Sequence, residues 1–292
     1  MKTASNWKDY ELIKTSNGQK LERWKDIYLL RPDPQVIWDQ GDLYTQYHHL
    51  IHAVYHRSKK GGGNWENIKP MPSSWQIKYN DLVFNIKQMG FKHTGLFPEQ
   101  AVNWEFMIDK IKNAKRKIKV LNLFAYTGGA TVACLSAGAA VTHVDSSRGM
   151  VDWCKENVKA SGYEDAQVRY LVDDVIKFVK REIRRNNKYD AIIMDPPSYG
   201  RGANKEVWDI EKSLNYLVTL CTEILSEDPL FFIINSYTTG LSSTVLKNIL
   251  TLTVNQKKKG KITCGEIGLK EKESNLVLPC GIYGRWEKDD KD

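Results

Sequence analysis

The hydrophobic pattern of the chain changes character at about residue 96. Before that point, short apolar segments alternate with polar positions, and two of them flank Asn17-Gly18, a strong hairpin turn signal. Pro32 and Pro34 end the next such segment, and residues 75–79 and 82–86 indicate a second hairpin. The pattern predicts a small, mostly β domain over residues 1–95, with a helix in its middle segment, 42–57.

Beyond residue 96, helical periods alternate with buried strand segments. Met107, Ile111, Ala114 and Ile118 recur at helical spacing. Strands are expected at 119–124, 140–145, 167–171, 191–195, 230–235, 262–267 and 276–286, and helices at 129–138, 147–161, 174–186 and 207–226. This alternation predicts an α/β domain over residues 96–292, whose parallel sheet is covered on both faces.

Composition narrows the class of protein. Hydrophobic residues make up 41% and charged residues 27% of the 292, and no segment approaches the roughly 18 apolar residues of a membrane span. The N-terminus lacks the apolar core of a signal peptide. Five scattered cysteines without CxxC pairs argue against a disulfide framework and a structural zinc site, and fit a cytoplasmic protein. The net charge of +8 permits a polyanionic partner.

The first strand of the α/β domain runs into a glycine-containing turn. Ligands of parallel sheets bind at the carboxyl ends of the strands. Here Gly128 and Gly129 let a ligand approach the backbone, and the following helix offers free N–H groups. The G-x-G-x-x-G spacing of a dinucleotide site is absent, which weighs against NAD or FAD. A tight strand-to-helix turn would explain the same residues.

Carboxylates follow the second and third strands. Asp145 can accept hydrogen bonds from both ribose hydroxyls of a nucleoside, or it can cap the next helix. Of Asp173 and Asp174, one can cap the helix that follows, and the other can accept from an exocyclic adenine amine. Each site alone is equally well explained by helix capping.

The sharpest signal is the segment that follows the fourth strand, Asp195-Pro196-Pro197-Ser198-Tyr199. Two prolines fix the backbone and remove two donors, which stiffens a loop able to turn Asp195 and its carbonyls into a cleft. Tyr199 can stack on a flat substrate. Because an acidic and an aromatic residue bracket the prolines at the ligand-binding edge, a merely rigid turn is the weaker interpretation.

These segments resemble a known family. In order and spacing, residues 121–131, Asp145, Asp174 and Asp195-Pro196-Pro197 are similar to class I S-adenosylmethionine-dependent methyltransferases. Residues 93–104 resemble the stretch that precedes the catalytic domain in cytosine-C5 methyltransferases of large-subunit ribosomal RNA, and residues 122–128 are also similar to that group. The resemblance covers about half of the chain.

The resemblance implies a Rossmann-like, seven-stranded sheet of order 3-2-1-4-5-7-6 and S-adenosylmethionine as the cofactor. The cofactor would lie over residues 124–128, with its ribose on Asp145, its adenine on Asp174, and its amino group and reactive methyl near Asp195. The implied cofactor-binding residues are Phe97, Gln100, Asn122, Phe124, Tyr126, Thr127, Gly128, Asp145, Asp174 and Asp195. The implied catalytic residues are Asp195, Pro196, Pro197 and Tyr199.

One departure from the cytosine-C5 group bears on mechanism. Those enzymes attack the base with a cysteine that follows the fifth strand, where this chain has Ser236-Tyr237-Thr238. A hydroxyl without an adjacent base is a poor nucleophile. The Asp195 segment is instead similar to the loop of enzymes that methylate amino or ring nitrogens, a reaction that needs no covalent step.

The sequence therefore predicts a methyltransferase that acts on RNA, specifically ribosomal RNA, without a covalent cysteine intermediate. A methyltransferase of small molecules or protein side chains, and a non-catalytic RNA-binding protein that keeps the fold, remain alternatives.

Basic clusters at 110–119, 177–188 and 257–261 are either solvated faces or phosphate contacts. The spacing of His48, His52 and His56 would place them on one helix face, which we interpret as partly exposed rather than metal-binding. No metal site and no membrane contact are predicted, and the oligomeric state is left open.

Overall fold

The computed structural model describes residues 1–58, 62–202 and 206–289, which divide into two compact units. The α/β unit comprises Met1–Lys2, Val102–Ile267 and Gly281–Asp292, and the β-rich unit comprises Thr3–Ala101 and Gly268–Cys280. The first boundary therefore falls after Ala101 rather than at residue 95. The pattern of the sequence gave no sign that a C-terminal segment belongs to the β-rich unit.

The helices and strands have the following bounds. In the first hundred residues the strands are β1 (Lys2–Thr3), β2 (Tyr10–Ser16), β3 (Gln19–Trp24), β4 (Ile27–Pro32), β5 (Ala53–Arg57), β6 (Gly63–Asn67), β7 (Trp75–Tyr79) and β8 (Leu82–Ile86). The later strands are β9 (Lys119–Leu123), β10 (Ala140–Asp145), β11 (Val168–Val172), β12 (Ala191–Met194), β13 (Tyr199–Arg201), β14 (Val207–Asp209), β15 (Phe231–Ser236), β16 (Gly260–Lys270) and β17 (Val277–Lys288). The helices are α1 (Leu43–Tyr47), α2 (Ala101–Asn113), α3 (Gly129–Ser136), α4 (Arg148–Ala160), α5 (Val175–Arg184), α6 (Ile210–Thr222), α7 (Ser243–Leu252) and α8 (Val254–Lys257).

The β-rich unit contains a sheet of order β2-β3-β4-β5-β6 and the separate hairpin β7-β8. Asn17 and Gly18 both have positive φ, 48° and 76°, which is the backbone that a two-residue hairpin turn requires. Both predicted hairpins are confirmed, since β2 pairs with β3 and β7 with β8 in antiparallel register.

The predicted helix over 42–57 is wrong beyond its first turn. Asp42 caps α1 by accepting from the backbone N–H of Tyr44 at 3.1 Å, but the helix ends at Tyr47. Residues 53–57 form β5, which pairs in parallel with β4 and antiparallel with β6. Strand pairing therefore overrides the helical spacing of the histidines, and His56 lies on a strand rather than on the predicted helix face.

The α/β unit is built on a large mixed sheet. Among the described residues its order is β1-β16-β17-β15-β12-β9-β10-β11. Read from the other edge and numbered within the domain, this is the implied order 3-2-1-4-5-7-6 with one short strand, β1, added. The central strands β10, β9, β12 and β15 pair in parallel, and β17 runs antiparallel to β15. The expected Rossmann-like fold is confirmed.

Burial explains why the strands were visible in the sequence. All residues of β12 and β15 are buried, as expected for strands covered on both faces. The predicted helix at 207–226 begins later, at Ile210, because Val207–Asp209 pairs with Tyr199–Arg201 as a small hairpin. Asp209 then caps α6 by accepting from the N–H of Glu211. Across the residues described, no helix combines the length and the apolar character needed to cross a membrane.

Candidate active site at the carboxyl ends of the strands

The loop between β9 and α3 has an unusual backbone. Phe124 and Tyr126 have φ of 52° and 51°, in the left-handed region that residues with a side chain rarely occupy. Such conformations cost about 1–3 kcal/mol each and persist where the surrounding structure holds them. The N–H of Ala125 donates to the carbonyl of Val144 at 3.1 Å, which fixes the loop to the neighbouring strand β10. Strain of this kind is typical of functional loops.

Gly128 completes the loop as the N-cap of α3, with φ of 84°. A Cβ at Gly128 would collide with the Sγ of Cys154 on α4, and a Cβ at Gly129 would stand 2.8 Å from the ring of Trp104. Both glycines are therefore required by the packing beneath the loop. The backbone approaches neighbouring elements as closely as a glycine permits.

Asp145, the last residue of β10, faces this loop. Its carboxylate accepts hydrogen bonds at 2.8 Å from the backbone N–H of Tyr126 and from that of Ser147. Burial raises the pKa of the Asp145 carboxyl, and the two N–H donors oppose that rise. The carboxylate is thus fixed at the edge of the sheet by backbone groups of two elements.

Asp173 and Asp174 have separate roles after β11. Asp174 is the N-cap of α5 and accepts from the N–H of Lys177 at 2.8 Å. Asp173 forms an ion pair with Arg181, and its N–H donates to the carbonyl of Asp145 at 3.0 Å. The expectation that one of the two caps the helix is confirmed. The cap is Asp174, the residue that the resemblance assigns to adenine, and that assignment stays a prediction.

The Asp195-Pro196-Pro197 segment follows β12 at the same edge. The N–H of Asp195 points to the carbonyl of Leu123 at 3.4 Å, so the segment starts beside the end of β9. The carbonyl of Pro197 accepts from the indole N–H of Trp208 at 2.7 Å. Tyr199, at the start of the small hairpin, is 55% exposed.

Trp208 links this segment to the first loop, and sequence reasoning missed it. Its ring lies edge-on to that of Phe124, with centroids 4.7 Å apart, while its N–H holds Pro197. The only sequence signal was a large aromatic residue close behind the proline segment. It was assigned to the start of a helix, although it lies on β14.

The residues after β15, which entered the sequence analysis only as the place of a nucleophile, also contact the segment after β12. The hydroxyls of Ser198 and Thr238 are 2.7 Å apart, which joins the loops that follow β12 and β15. Thr238 also donates its N–H to the hydroxyl of Ser236 at 3.1 Å. Tyr237, between them, is 51% exposed. Tyr199 and Tyr237 are therefore exposed residues that adjoin, along the chain, the two hydroxyls of this hydrogen-bonded tie.

A buried polar network lies within the fold behind the first loop. The side-chain amide of Asn122 donates to the hydroxyl of Thr131 at 3.0 Å, and that hydroxyl lies 2.9 Å from Nδ1 of His143. Cys154 approaches the same nitrogen at 3.4 Å. Burial lowers the pKa of His143 to about 3, so the imidazole is neutral. The side chain of Asn122 is thus occupied within this network.

Three of the predicted cofactor-binding residues, Thr127, Phe97 and Gln100, are not placed as Asp145 is, at the end of a strand of the large sheet. Thr127 is fully buried, and its carbonyl accepts from the side chain of Asn157 at 2.9 Å. Phe97 and Gln100 belong to the β-rich unit, in the 3₁₀ turn of Pro98–Gln100 and the residue before it. Their part in cofactor binding stays a prediction.

Four of the five cysteines are poorly suited to nucleophilic chemistry. Cys134, Cys154 and Cys221 are fully buried, and burial raises the pKa of each thiol. Cys280 is partly exposed, and burial together with the charge of Glu99 raises the pKa of its thiol well above the usual value. Among the residues that the structure describes, no group of three or more His, Cys, Asp or Glu side chains could hold a metal ion.

Together, the fold and this edge define an α/β enzyme of the nucleotide-cofactor-binding class, with carboxylates at the ends of neighbouring parallel strands. The model of the S-adenosylmethionine-dependent methyltransferase family matches residues 33–242. The chain belongs to this family, and S-adenosylmethionine is its cofactor.

Solved structures and curated relatives agree with that assignment. An S-adenosylmethionine-dependent methyltransferase from Agrobacterium tumefaciens is 33% identical, with a TM-score of 0.91 over 98% of this chain and 92% of that one. A putative methyltransferase from Streptococcus mutans has the same fold, at 21% identity and a TM-score of 0.72, over 97% of this chain and 76% of that one.

Among curated proteins, the ribosomal RNA large subunit methyltransferase K/L of Syntrophotalea carbinolica is 28% identical over 183 residues. That alignment covers 62% of this chain and 25% of the relative. The methyltransferase K of Neisseria meningitidis is 27% identical, over 66% of this chain and 53% of that protein. The chain thus spans only about a quarter to a half of the length of these relatives.

Proposed function

We propose that this protein transfers a methyl group from S-adenosylmethionine to RNA, specifically ribosomal RNA, without a covalent cysteine intermediate. Support for the substrate comes from relatives that are named ribosomal RNA large subunit methyltransferases. Support for the mechanism comes from the segment of Asp195, Pro196, Pro197 and Tyr199, which begins beside the end of β9, where the N–H of Asp195 donates to the carbonyl of Leu123, and which Trp208 links to Phe124. This juxtaposition is the observation that carries the proposal.

The residues at this edge fit the cofactor. The Asp145 carboxylate is already aligned by two N–H donors, and its oxygens are suited to the two hydroxyls of a ribose. Gly128 removes the side chain that would crowd the loop, and Asp174 presents a carboxylate oxygen for an adenine amine. When bound, S-adenosylmethionine supplies an electrophilic methyl group on a positively charged sulfur.

The acceptor is held by the segment after β12. Asp195 and the carbonyls of the rigid Asp195-Pro196-Pro197 segment accept hydrogen bonds from the reacting base and hold it for in-line transfer. Tyr199 stacks on the base, as its exposed ring permits. The loops stay in place because Trp208 and the Ser198–Thr238 tie join them to neighbouring strands.

Direct transfer follows from the residues after β15. Thr238 occupies the place of the nucleophile in cytosine-C5 enzymes, and its hydroxyl is hydrogen-bonded to another hydroxyl rather than to a base. The thiol pKa of Cys280 is raised, so this cysteine is also poorly suited to act as the nucleophile at neutral pH.

We place the reaction in the cytoplasm and assign substrate recognition to the β-rich unit.

The experiment that tests this function measures S-adenosylhomocysteine release with three acceptors: deproteinised ribosomal RNA, a metabolite mixture, and none. Release that depends on RNA supports the proposal. Release that depends on the metabolites, or no release with any acceptor, contradicts it.

A second experiment tests direct transfer. RNA containing 5-fluorocytosine should form no stable protein adduct, and Cys280→Ser should keep full activity. An adduct that is lost in Cys280→Ser would overturn direct transfer.

A further inference from the structure

The positive charge of the α/β unit is concentrated at one edge of its large sheet. Ala191, which opens β12, is level with Val120 and Phe231 in the flanking strands, so the segments before β9, β12 and β15 meet at the amino edge. Phe231 lies opposite Glu287, which brings the end of β17 to the same edge. Gly260, at the start of β16, lies against the carbonyl of Glu287. This is the edge opposite Asp145.

Five segments form this edge, and together we name them the basic edge: 109–119, 184–190, 223–229, 255–261 and 286–289. They contain fourteen Lys and Arg against seven Asp and Glu, a net charge of +7. The whole chain carries +8. The remaining residues of the chain together carry a net charge of only +1.

Five of the seven acidic residues of the basic edge form ion pairs: Asp190, Glu223, Glu227, Asp228 and Glu287. Arg116 pairs with Asp190 at 2.9 Å, Lys110 with Glu287 at 2.5 Å, and Lys258 with Glu227 at 3.0 Å. Seven exposed lysines of these segments lie outside the ion pairs of the described residues: Lys112, Lys115, Lys117, Lys119, Lys188, Lys259 and Lys261. Like charges gathered in this way repel one another, and a polyanion would relieve that repulsion.

The centre of the basic edge is concave. A cleft of about 300 Å³ lies between the end of α2 and the end of β17, with Lys110, Arg116 and Lys288 on its walls and Asp228 beside them. The exposed lysines 112, 115 and 117 follow the same helix end. The cations within the cleft are ion-paired, so the exposed lysines around it are the groups that would contact a curved chain of phosphates.

The chemistry of the basic edge favours nucleic acid over a protein or a membrane. None of the large apolar side chains that are exposed among the described residues falls within its five segments. Protein interfaces need an apolar centre, and membrane-surface segments insert apolar side chains. Phosphate contacts need only cations, and they position a nucleic acid without reading its sequence.

We propose that the basic edge binds the phosphate backbone of the RNA substrate at a distance from the nucleotide that is methylated. The inference rests on the RNA substrate proposed above. The parallel strands between the two edges have four to six residues, which separates the edges by about 13–20 Å at about 3.3 Å per residue. A folded RNA domain is wide enough to contact both.

The test compares two variants of the full chain that lose the same charge. The edge variant carries Lys112→Gln, Lys117→Gln, Lys259→Gln and Lys261→Gln. The control variant carries Lys155→Gln, Lys159→Gln, Lys180→Gln and Lys247→Gln, which are exposed on α4, α5 and α7. Binding of deproteinised ribosomal RNA is measured by fluorescence anisotropy over a range of salt concentrations, and S-adenosylhomocysteine binding is measured by calorimetry.

We expect the edge variant to bind RNA at least about tenfold more weakly than the wild type, and the slope of log Kd against log salt to fall by about 3. The control variant should stay within about twofold of the wild type. Both should bind S-adenosylhomocysteine as the wild type does, and kcat at saturating RNA should be unchanged while KM rises in the edge variant.

Three results would overturn the inference, and they are distinguishable. If the wild type methylates RNA and both variants bind it equally, the basic edge is not a contact and the proposed function stands. If the wild type neither binds nor methylates RNA, the proposed function fails and the inference fails with it. Binding of polyglutamate as tightly as RNA, lost in the edge variant, would assign the edge to an acidic protein instead.

Discussion

The carboxylate of Asp145 and the backbone N–H of Tyr126 are joined by a hydrogen bond of 2.8 Å. The bond connects the end of β10 to a loop whose backbone is strained at Tyr126 itself, where φ is 51°. One side chain therefore both stabilises the loop and presents a carboxylate at the edge where we propose that the cofactor binds. Loss of this side chain should affect cofactor binding before it affects the fold.

Replacement of Asp145 by alanine should weaken S-adenosylmethionine binding by about 10- to 150-fold. Hydrogen bonds to a charged group contribute about 1.5–3 kcal/mol, which corresponds to that range. Calorimetry checks the affinity, and Asp152→Ala is the matched control, because Asp152 is exposed on α4 and pairs only with Lys155 among the described residues. Unchanged affinity in Asp145→Ala would remove Asp145 from the site.

Gly128→Ala should destabilise the α/β unit more than Gly162→Ala does. Both glycines have positive φ, 84° and 79°, but only at Gly128 would the new Cβ meet another side chain, that of Cys154. We expect about 1 kcal/mol from the backbone at either position, and a further loss of at least 1 kcal/mol at Gly128. Urea unfolding measures both, and Gly128→Ala/Cys154→Ala should recover the steric part. Equal losses in the two single variants would contradict the packing described.

The positions of the central strands could be predicted from the sequence because the deciding residues are local, whereas the order of the strands in the sheet was implied only by the family resemblance. Every residue of β12 is apolar and buried, and such strands are visible without any partner. The contacts that build the site are different. Asn122 and His143 are level with each other on adjacent strands, and only the paired sheet shows that Thr131 joins their side chains. No periodicity along the chain encodes that meeting.

The errors arose where pairing decides the structure of short segments. His48, His52 and His56 have the spacing of a helix face, yet β4 and β6 pair with residues 53–57 and bring them into a sheet. Val207–Asp209 were assigned to a helix because their partner strand, Tyr199–Arg201, was interpreted as loop. In both cases the energy of a β ladder outweighs a weak local preference. The pairing of Val207–Asp209 with Tyr199–Arg201 also places Trp208 beside Phe124. Because the pairing was not predicted, neither was this contact.

The free energy of unfolding should decrease as the pH is lowered, because His143 is buried as a neutral imidazole. Burial lowers its folded-state pKa to about 3, whereas the unfolded value is about 6.5. Between these two pKa values, the unfolded state binds a proton that the folded state does not bind. The stability that His143 contributes is therefore complete above pH 6.5 and is lost as the pH falls towards 3.

Between pH 7 and pH 5, this linkage amounts to about 2 kcal/mol in the free energy of unfolding. Urea unfolding of wild type and His143→Gln at the two pH values should show that the variant loses about 2 kcal/mol less than the wild type. His49→Gln, which replaces an exposed histidine, should behave as the wild type does. Parallel pH dependence in the wild type and His143→Gln would refute this assignment.

Tyr199→Ala should raise KM for RNA with little change in kcat or in cofactor affinity. A base stacked on an aromatic ring contributes about 1–3 kcal/mol, so KM should rise by about 10- to 150-fold. Tyr199→Phe keeps the ring and should stay near the wild type. Tyr216→Ala, which removes an aromatic side chain exposed on α6, controls for surface effects. A normal KM in Tyr199→Ala would place the base elsewhere.

The most direct test of methyl transfer by this edge is the incorporation of tritiated methyl from S-adenosylmethionine into ribosomal RNA by the wild type and by Asp195→Asn. S-adenosylhomocysteine affinity is measured in parallel on the same preparations. We expect RNA-dependent incorporation by the wild type, and a fall of at least about 100-fold in Asp195→Asn with cofactor affinity changed by less than about threefold. Equal incorporation by the two proteins, or none into RNA by the wild type, would contradict the account.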